Sequence, residues 1–310
     1  MKLVELPPEI RTVVAAGDRN YAWGVFLLIA SMRRWEMREK ILVGAYSWTP
    51  EWLEFLEKWP NLKIVRLSTA DRRCVCVTKP LLMLQAETPY ATWIDSDGMF
   101  TGNCSPYLYG EEEALYSRAY SAAELATHGF ARKPETIAAW LRDVDSLPER
   151  RDIPDICTSV VGVSLERNSA LLKRWIEQMD KVLPKDVGIV SVKDSPYFQT
   201  DESVLNSLLS CWEPAPPITQ CYRLDNPKTA YFAHFAYNPK PWQTQWTPYA
   251  LRWYDQLIAL VEWCEAQKLL PEFAPLPPTL QRKNERFFRL CAPLAPHWHR
   301  VKKLWRKLGL

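Results

Sequence analysis

The first 94 residues alternate between short apolar, often β-branched runs and longer stretches in which apolar residues recur with helical spacing. The short runs cover residues 12–16, 41–45, 62–67 and 90–94, and the helical stretches cover 23–35, the segment from Pro50 onward, and 80–85. Short apolar runs are typical of strands buried on both faces, and a helix between successive strands makes those strands parallel. The alternation therefore predicts an α/β fold with a mostly parallel central sheet.

The pattern is weaker after residue 97. Segment 111–156 is rich in charge and proline, which predicts an insertion over the sheet edge with a single helix at 134–144. Further on, the pattern predicts strands at 159–164 and 231–235, a helix that begins at Asn168 or Ser169 and ends at Met179, and helices at 201–209 and 253–269. We expect one main domain over residues 1–250 and a helical extension over 251–310.

The composition indicates a folded protein with a large core. Of the 310 residues, 47% are hydrophobic and 24% charged, which excludes global disorder. The eight cysteines lack the paired spacing of a disulfide framework or a zinc ribbon, and this predicts free thiols in a reducing compartment. No apolar run is long enough for a signal peptide or a membrane span of roughly 20 residues, so we expect a cytoplasmic protein.

Two aspartates come directly after the fourth predicted strand, in the sequence Asp95-Ser96-Asp97. Residues two apart in an extended chain point to the same side, so both carboxylates are expected to face one spot. Ligands of open α/β sheets bind at the carboxyl ends of the strands. Paired carboxylates fit Mg²⁺ or Mn²⁺ and leave positions for water and phosphate oxygens. The alternative is a turn in which the aspartates only cap the strand end.

A second polar stretch, His234 to Trp242, places Lys240 six residues after the histidine. Histidine is able to complete a manganese site begun by carboxylates, and a lysine ammonium is able to neutralise a departing diphosphate. The alternatives are a histidine satisfied within the core and a lysine in solvent.

Together these stretches resemble the family-8 retaining glycosyltransferases, especially the bacterial lipopolysaccharide galactosyl- and glucosyltransferases. Members carry Asp-x-Asp after a strand and, late in the chain, a His followed by Gly-x-x-Lys-Pro-Trp, where this chain has Tyr237 in place of the glycine. Residues 14–21 are similar to the family's first strand and nucleotide-binding turn. Residues 199–206 are similar to its Asp-Gln-Asp-x-Leu-Asn, with Glu202 at the glutamine and Ser203 at the second acid.

The resemblance implies that residues 1–250 are a catalytic domain with a GT-A type, Rossmann-like fold and with segment 111–156 on its acceptor side. It implies transfer of a hexose from a UDP-sugar to a saccharide or glycolipid acceptor in cell-surface polysaccharide or lipopolysaccharide synthesis, with retention of configuration. It implies that Asp95, Asp97 and His234 bind Mn²⁺ or Mg²⁺. Asp201 and Glu202 are the candidate catalytic residues, which orient the donor sugar and stabilise its cationic transition state. The implied donor-binding residues are Ala15, Ala16, Asp18, Asn20, Tyr21, Lys79, Ser96 and Lys240. An inverting transferase and a non-catalytic nucleotide-sugar-binding protein remain as alternatives.

The last thirty residues form a basic tail. Residues 281–310 hold nine basic residues and one acidic residue, a net charge of +8 that leaves about −5 on the first 280 residues. Segment 299–308 has apolar residues at helical spacing, including Trp305, and cations on its other face. This pattern is typical of helices that bind an anionic membrane surface, and it predicts peripheral attachment to the inner face of the cell membrane. A terminal helix docked on the body is the alternative. No recognition fold accompanies the tail, so no nucleic-acid partner is expected.

Overall fold

A computed structural model of the chain describes residues 8–68, 75–109, 112–121, 123–125, 132–184, 195–220 and 231–294. The strands are β1 (Arg11–Asp18), β2 (Lys40–Tyr46), β3 (Leu62–Leu67), β4 (Tyr90–Ile94), β5 (Gly98–Phe100), β6 (Leu115–Ala119), β7 (Ile156–Ser164), β8 (Ile218–Gln220) and β9 (Phe232–His234). The α-helices are α1 (Ala22–Arg34), α2 (Pro50–Glu57), α3 (Lys79–Met83), α4 (Pro134–Val144), α5 (Leu165–Val182), α6 (Asp201–Cys211), α7 (Tyr254–Ala266) and α8 (Glu285–Cys291).

Seven strands form the central sheet in the order β3-β2-β1-β4-β7-β6-β8. The neighbours among β3, β2, β1 and β4 are parallel, as are β6 and β8, and β7 alone among these seven runs against its neighbours. The predicted α/β fold with a mostly parallel sheet is therefore confirmed. The chain runs from β1 outward through β2 to β3 and then returns to β4 on the other side of β1. The carboxyl ends of β1 and β4 thus flank a crevice of the kind in which α/β sheets bind ligands.

The core lies on both faces of the sheet. Successive strand residues point to opposite faces, so Val13 and Ala15 join one buried cluster, while Val14 and Ala16 join the other. Helices α1, α2 and α7 pack on the first face, and α3, α4, α5 and α6 pack on the second. This three-layer packing explains why the central strands read as continuous apolar runs.

A separate two-stranded ribbon carries part of the site. Strands β5 and β9 pair antiparallel, with Gly98 opposite His234 and Phe100 opposite Phe232. Gly98 is required at this place because a Cβ there would lie 2.2 Å from the Phe232 ring. The ribbon joins the residues after β4 to a segment more than 130 positions later in the chain.

Several sequence predictions differ from the structure in detail. Helix α5 begins at Leu165 rather than at Asn168 or Ser169, because the Ser164 hydroxyl accepts from the Arg167 N–H and caps the helix earlier. Segment 111–156 contributes β6 to the central sheet, whereas the pattern indicated only one helix there. Cys76 is disulfide-bonded, so the prediction of free thiols is wrong at that position.

The chain's final segment is described as far as residue 294, and the predicted tail helix at 299–308 lies outside the described residues. None of the helices within the described ranges is both long and apolar enough to cross a membrane. Helix α8 buries Phe288 and leaves Phe287 and Leu290 exposed, and Leu294 in the turn after the helix is also exposed.

Candidate active site

A cavity of about 1740 Å³ opens at the carboxyl ends of β1 and β4. Ligand pockets are usually about 300–1,000 Å³, so this cavity has room for more than one small ligand. Eleven of the predicted site residues line it: Ala16, Asp18, Asn20, Tyr21, Lys79, Asp95, Ser96, Asp97, Asp201, Glu202 and His234. Ala15 and Lys240 are buried and do not line it.

The Asp95-Ser96-Asp97 turn is fastened to the end of β1 and to helix α1. The Ser96 hydroxyl donates to the Ala16 carbonyl oxygen at 2.7 Å. Gly24 of α1 allows the turn to approach closely, since a Cβ on this residue would lie 2.5 Å from the Ser96 carbonyl oxygen and 2.4 Å from the Trp242 ring. The packing of turn, helix and indole therefore holds the two aspartates in place.

The β5–β9 ribbon brings His234 to these aspartates. His234 pairs with Gly98, the residue directly after Asp97, and its Nε2 lies 3.2 Å from Asp97 Oδ1 and 3.9 Å from Asp95 Oδ2. One ligand atom from each of the three residues lies within 4.8 Å of the other two. Two carboxylate oxygens and an imidazole nitrogen fit the ligand preference of a divalent cation such as Mn²⁺.

The second oxygen of each aspartate is bound by the surrounding protein. Asp95 Oδ1 accepts from Trp93 Nε1 at 2.6 Å and lies 3.0 Å from Lys79 Nζ. Asp97 Oδ2 accepts from Lys240 Nζ at 2.6 Å. Each carboxylate is thus fixed through one oxygen, and the other oxygen is directed toward His234. An outer layer of this kind is what orients metal ligands in proteins.

The charge on Asp97 is stabilised by its neighbours. Burial by itself disfavours the carboxylate, but the Lys240 ammonium and His234 lower the pKa of Asp97 well below its usual range. Lys240 also donates to the Phe235 carbonyl oxygen at 2.6 Å, and only 3% of its side chain is exposed. Lys240 was predicted to contact the donor, and the structure places it behind Asp97.

Lys79 links the two groups of acidic residues. Its Nζ lies 3.0 Å from Asp95 Oδ1 and 3.0 Å from Asp201 Oδ2, and it donates to the Thr158 carbonyl oxygen at 3.0 Å. Burial favours the neutral amine, but the carboxylates of Asp201 and Asp95 outweigh it and raise the pKa of Lys79 well above its usual value. Lys79 is therefore a permanent buried cation between the two acidic sites.

Glu202 is held by three donors and no ion pair. Its carboxylate accepts from the Thr158 N–H at 3.0 Å, from the Tyr120 hydroxyl at 3.1 Å and from the Gln199 amide at 2.5 Å. Burial, together with the charge of Asp201, raises the pKa of Glu202 to about 7 against the effect of the Thr158 N–H. Buried acids with raised pKa values are frequent at functional sites.

Tyr21 and Trp242 form the aromatic part of the wall near β1. Their rings meet edge to face, with centroids 6.3 Å apart. Burial, with a contribution from the charge of Asp97, raises the pKa of Tyr21 well above its usual value, so its phenol stays a neutral hydroxyl. Asn20 lies beside it in a turn that Asp18 caps by accepting from the Asn20 N–H at 2.7 Å.

Sequence reasoning missed four residues that hold the acidic groups: Trp93, Tyr120, Thr158 and Gln199. Trp93 was detectable, because it lies two positions before Asp95 and so points to the same side of the chain. Tyr120 and Thr158 come from the ends of β6 and β7, whose arrangement depends on pairing between distant strands.

Comparisons with known proteins agree with this architecture. No protein-family model and no curated protein sequence matches the chain. Among solved structures, the apo form of the bifunctional glycosyltransferase WbbM matches 83% of this chain with a TM-score of 0.54 and 13% identity, and the match spans 50% of WbbM. The galactosyltransferase LgtC, solved with donor and acceptor sugar analogues, matches 84% of this chain and 98% of its own, with a TM-score of 0.52 and 12% identity.

The apo form of the glycosyltransferase GlyE from Streptococcus pneumoniae TIGR4 matches 84% of this chain with a TM-score of 0.51 and 15% identity, and the match spans 64% of GlyE. At these identities the likeness is one of fold. It agrees with the GT-A type architecture that the sequence motifs imply.

Proposed function

We propose that this chain is a metal-dependent glycosyltransferase that moves a hexosyl group from a UDP-sugar to a hydroxyl group of a saccharide or glycolipid. The observation that carries the proposal is the convergence of Asp95 Oδ2, Asp97 Oδ1 and His234 Nε2 at the crevice between β1 and β4. The fold similarity to LgtC, which was solved with donor and acceptor sugar analogues, supports the same proposed function.

The metal site fits the demands of this reaction. When bound, a divalent cation such as Mn²⁺ supplies positive charge that stabilises the departing diphosphate. Asp95 and Asp97 are the hard oxygen ligands for it, and His234 is the third ligand. Lys79 and Lys240 orient the two carboxylates, because each lysine binds one oxygen of one aspartate.

The rest of the cavity fits the other parts of the substrates. Asn20 and Tyr21, at the end of β1, are proposed to contact the nucleoside, with the Tyr21 hydroxyl as a neutral donor. Asp201 and Glu202 lie at the start of α6 and are proposed to orient the donor sugar and stabilise the positive charge that develops on it. The cavity volume leaves room for an acceptor saccharide beside the donor.

The test is a screen of UDP-sugars for UDP release with and without Mn²⁺, in the absence of an acceptor. The expected result is Mn²⁺-dependent release from at least one UDP-hexose, lost in His234→Gln and kept in Asp255→Asn, whose side chain is 75% exposed on α7. Tight UDP binding without release from any donor would contradict transfer and indicate a nucleotide-sugar-binding protein instead.

We also propose that the basic C-terminal segment holds the enzyme at an anionic membrane surface of the cell, on the cytoplasmic side. Helix α8 and the turn after it support this, because Phe287, Leu290 and Leu294 are 63%, 78% and 61% exposed and the exposed Arg286 and Arg289 directly precede the first two in sequence. An exposed apolar face flanked by cations is the combination that binds a membrane interface. The acceptor would then be a lipid-linked saccharide.

A further inference from the structure

The carboxylates on the cavity wall differ in how their charge is compensated. Among the described residues of the wall, Asp95 and Asp201 pair with Lys79, Asp97 pairs with Lys240, and Glu124 pairs with Arg118. The other two acids on the described wall, Asp18 and Glu202, form no ion pair.

Asp18 and Glu202 differ in burial. Asp18 lies partly in solvent and caps the turn after β1. Glu202 is 8% exposed, its direct partners are neutral donors, and the charges of Lys79 and Arg132 act on it only from beyond ion-pair distance. A buried carboxylate without a cation is costly to keep, so its countercharge is expected from a ligand or from the reaction.

The proposed reaction generates such a charge. As the bond to the diphosphate breaks, the anomeric carbon of the donor sugar acquires oxocarbenium character. Asp201 is the weaker attacking group, because its negative charge is neutralised by the Lys79 ammonium, 3.0 Å from its Oδ2. Glu202 is the adjacent acid that lines the cavity, and its direct partners are neutral donors.

We propose that Glu202 is the nucleophile of a double displacement and forms a covalent ester with the anomeric carbon of the donor sugar. This inference rests on the proposed function and adds the attacking group. Retaining glycosidases use a carboxylate in the same way.

The double displacement consists of two substitution steps at the anomeric carbon. A Glu202 carboxylate oxygen attacks the anomeric carbon while the carbon–oxygen bond to the diphosphate breaks, and the bonding electron pair leaves with UDP. The acceptor hydroxyl oxygen then attacks the same carbon from the opposite face. The ester bond breaks, its electron pair returns to the carboxylate, and the acceptor proton passes to a phosphate oxygen of the UDP still in the cavity. Two inversions restore the original configuration.

The surroundings of Glu202 fix its orientation for this attack. The Thr158 N–H binds one carboxylate oxygen, while Gln199 and Tyr120 bind the other. Burial raises the pKa of Tyr120 well above its usual value, so the phenol remains a hydrogen-bond donor. The preceding residue, Thr200, has a left-handed φ of 52°. Strained backbone of this kind is found where a side chain is held for function. Tyr120 is therefore a positioning residue.

The first experiment looks for the ester. Wild-type enzyme is mixed with Mn²⁺ and each UDP-hexose that it hydrolyses, or the 2-deoxy-2-fluoro derivative, then quenched in acid and analysed by intact-protein and peptide mass spectrometry. The expected result is the mass of one sugar group on the peptide that contains Glu202. Glu202→Gln should show no adduct. The matched control Glu124→Gln, in which the cavity acid paired with Arg118 is changed, should keep it.

The second experiment tests the role of Glu202 in the case that the ester breaks down too quickly to be trapped. Glu202→Ala with sodium azide should recover UDP release and give a glycosyl azide of the opposite anomeric configuration to the donor, because azide attacks from the face that Glu202 occupied. Tyr120→Phe should move the acidic limb of the kcat/KM profile to higher pH, because the carboxylate loses a donor that favours its charged form.

The outcomes separate the two proposals. Wild-type UDP release with no adduct and no azide product would overturn the nucleophile while glycosyl transfer stands. A transfer product of inverted configuration would also overturn it and would make Glu202 a general base. No UDP release from any donor would overturn both proposals.

Discussion

Replacing Lys79 by Met removes the buried cation between the proposed metal site and the proposed sugar site while keeping most of the side-chain volume. In the variant, the carboxylates of Asp95 and Asp201, with side chains 26% and 6% exposed, would share no cation. Removing one partner of a buried ion pair costs about 3–5 kcal/mol of unfolding free energy. Because Asp95 is partly in solvent, we expect the lower end, about 3 kcal/mol at pH 8.

The pH dependence of this loss follows from the charges. The raised pKa of Lys79 lies above the neutral range, so the lysine is charged in both folded and unfolded chains from pH 5 to pH 8 and adds no slope there. In Lys79→Met, the pKa of Glu202 loses the lowering effect of the Lys79 charge, so the charged Glu202 destabilises the variant further at pH 8, whereas at pH 5 this acid is protonated in both folded proteins. The difference from wild type should therefore be smaller at pH 5 than at pH 8.

The assay is urea unfolding of wild type and variant at both pH values, with Lys63→Met as the matched control. Lys63 forms an exposed pair with Glu87, with side chains 57% and 62% exposed, so its loss should cost at most about 1 kcal/mol. The reasoning is refuted if Lys79→Met costs no more than Lys63→Met, or if its cost grows as the pH falls.

Three further predictions concern metal binding, stability and location. Gly24→Ala should lower the unfolding free energy by about 1–3 kcal/mol in urea and weaken Mn²⁺ binding in calorimetry, since its Cβ would meet the Ser96 carbonyl and the Trp242 ring; unchanged stability would contradict this packing. Because folding raises the pKa of Glu202 from 4.5 to about 7, its contribution to stability should fall as the pH rises through that window, and Glu202→Gln should flatten the unfolding-versus-pH curve relative to wild type. Deleting residues 295–310, which keeps the buried Phe288 and Ala292, should weaken salt-sensitive co-sedimentation with anionic vesicles while UDP release continues, and equal sedimentation of both proteins would exclude residues 295–310 as the anchor.

The sequence was sufficient to place the chemistry wherever local pattern and strand ends coincide. Asp95 and Asp97 follow a strand whose apolar run is unambiguous, so their position at the sheet edge could be predicted. The approach of His234 to them depends on the β5–β9 register, and only the family resemblance indicated it. The strand β6 could not be predicted, because its residues 115–119 lie in a charged segment whose pairing with β7 is set at long range.

The roles of the two lysines were harder to predict than their presence near the site. Lys240 was expected at the diphosphate, yet its Nζ binds Asp97 and the Phe235 carbonyl oxygen. Lys79, predicted as a donor-binding residue, lines the cavity and also pairs with Asp95 and Asp201. A lysine side chain is long enough to reach several partners. The partner that it binds depends on how the site is buried in the folded protein, which the neighbouring sequence does not show.

The ion pairs also explain why metal and diphosphate should bind as a unit. Lys240 pairs with Asp97, Lys79 pairs with both Asp95 and Asp201, and His234 lies between Asp97 and Asp95. Two lysines and three aspartates give this group a net charge of −1 when His234 is counted as neutral. A divalent cation turns this group net positive, inside a partly buried cavity where uncompensated charge of either sign is costly. The diphosphate restores the balance, so each partner should raise the affinity for the other by the same factor. The substitution Lys240→Met would remove one positive charge from the site with metal and diphosphate bound. The factor by which Mn²⁺ and UDP increase each other's affinity should then decrease. Calorimetric titration of each ligand, with and without the other, measures this factor.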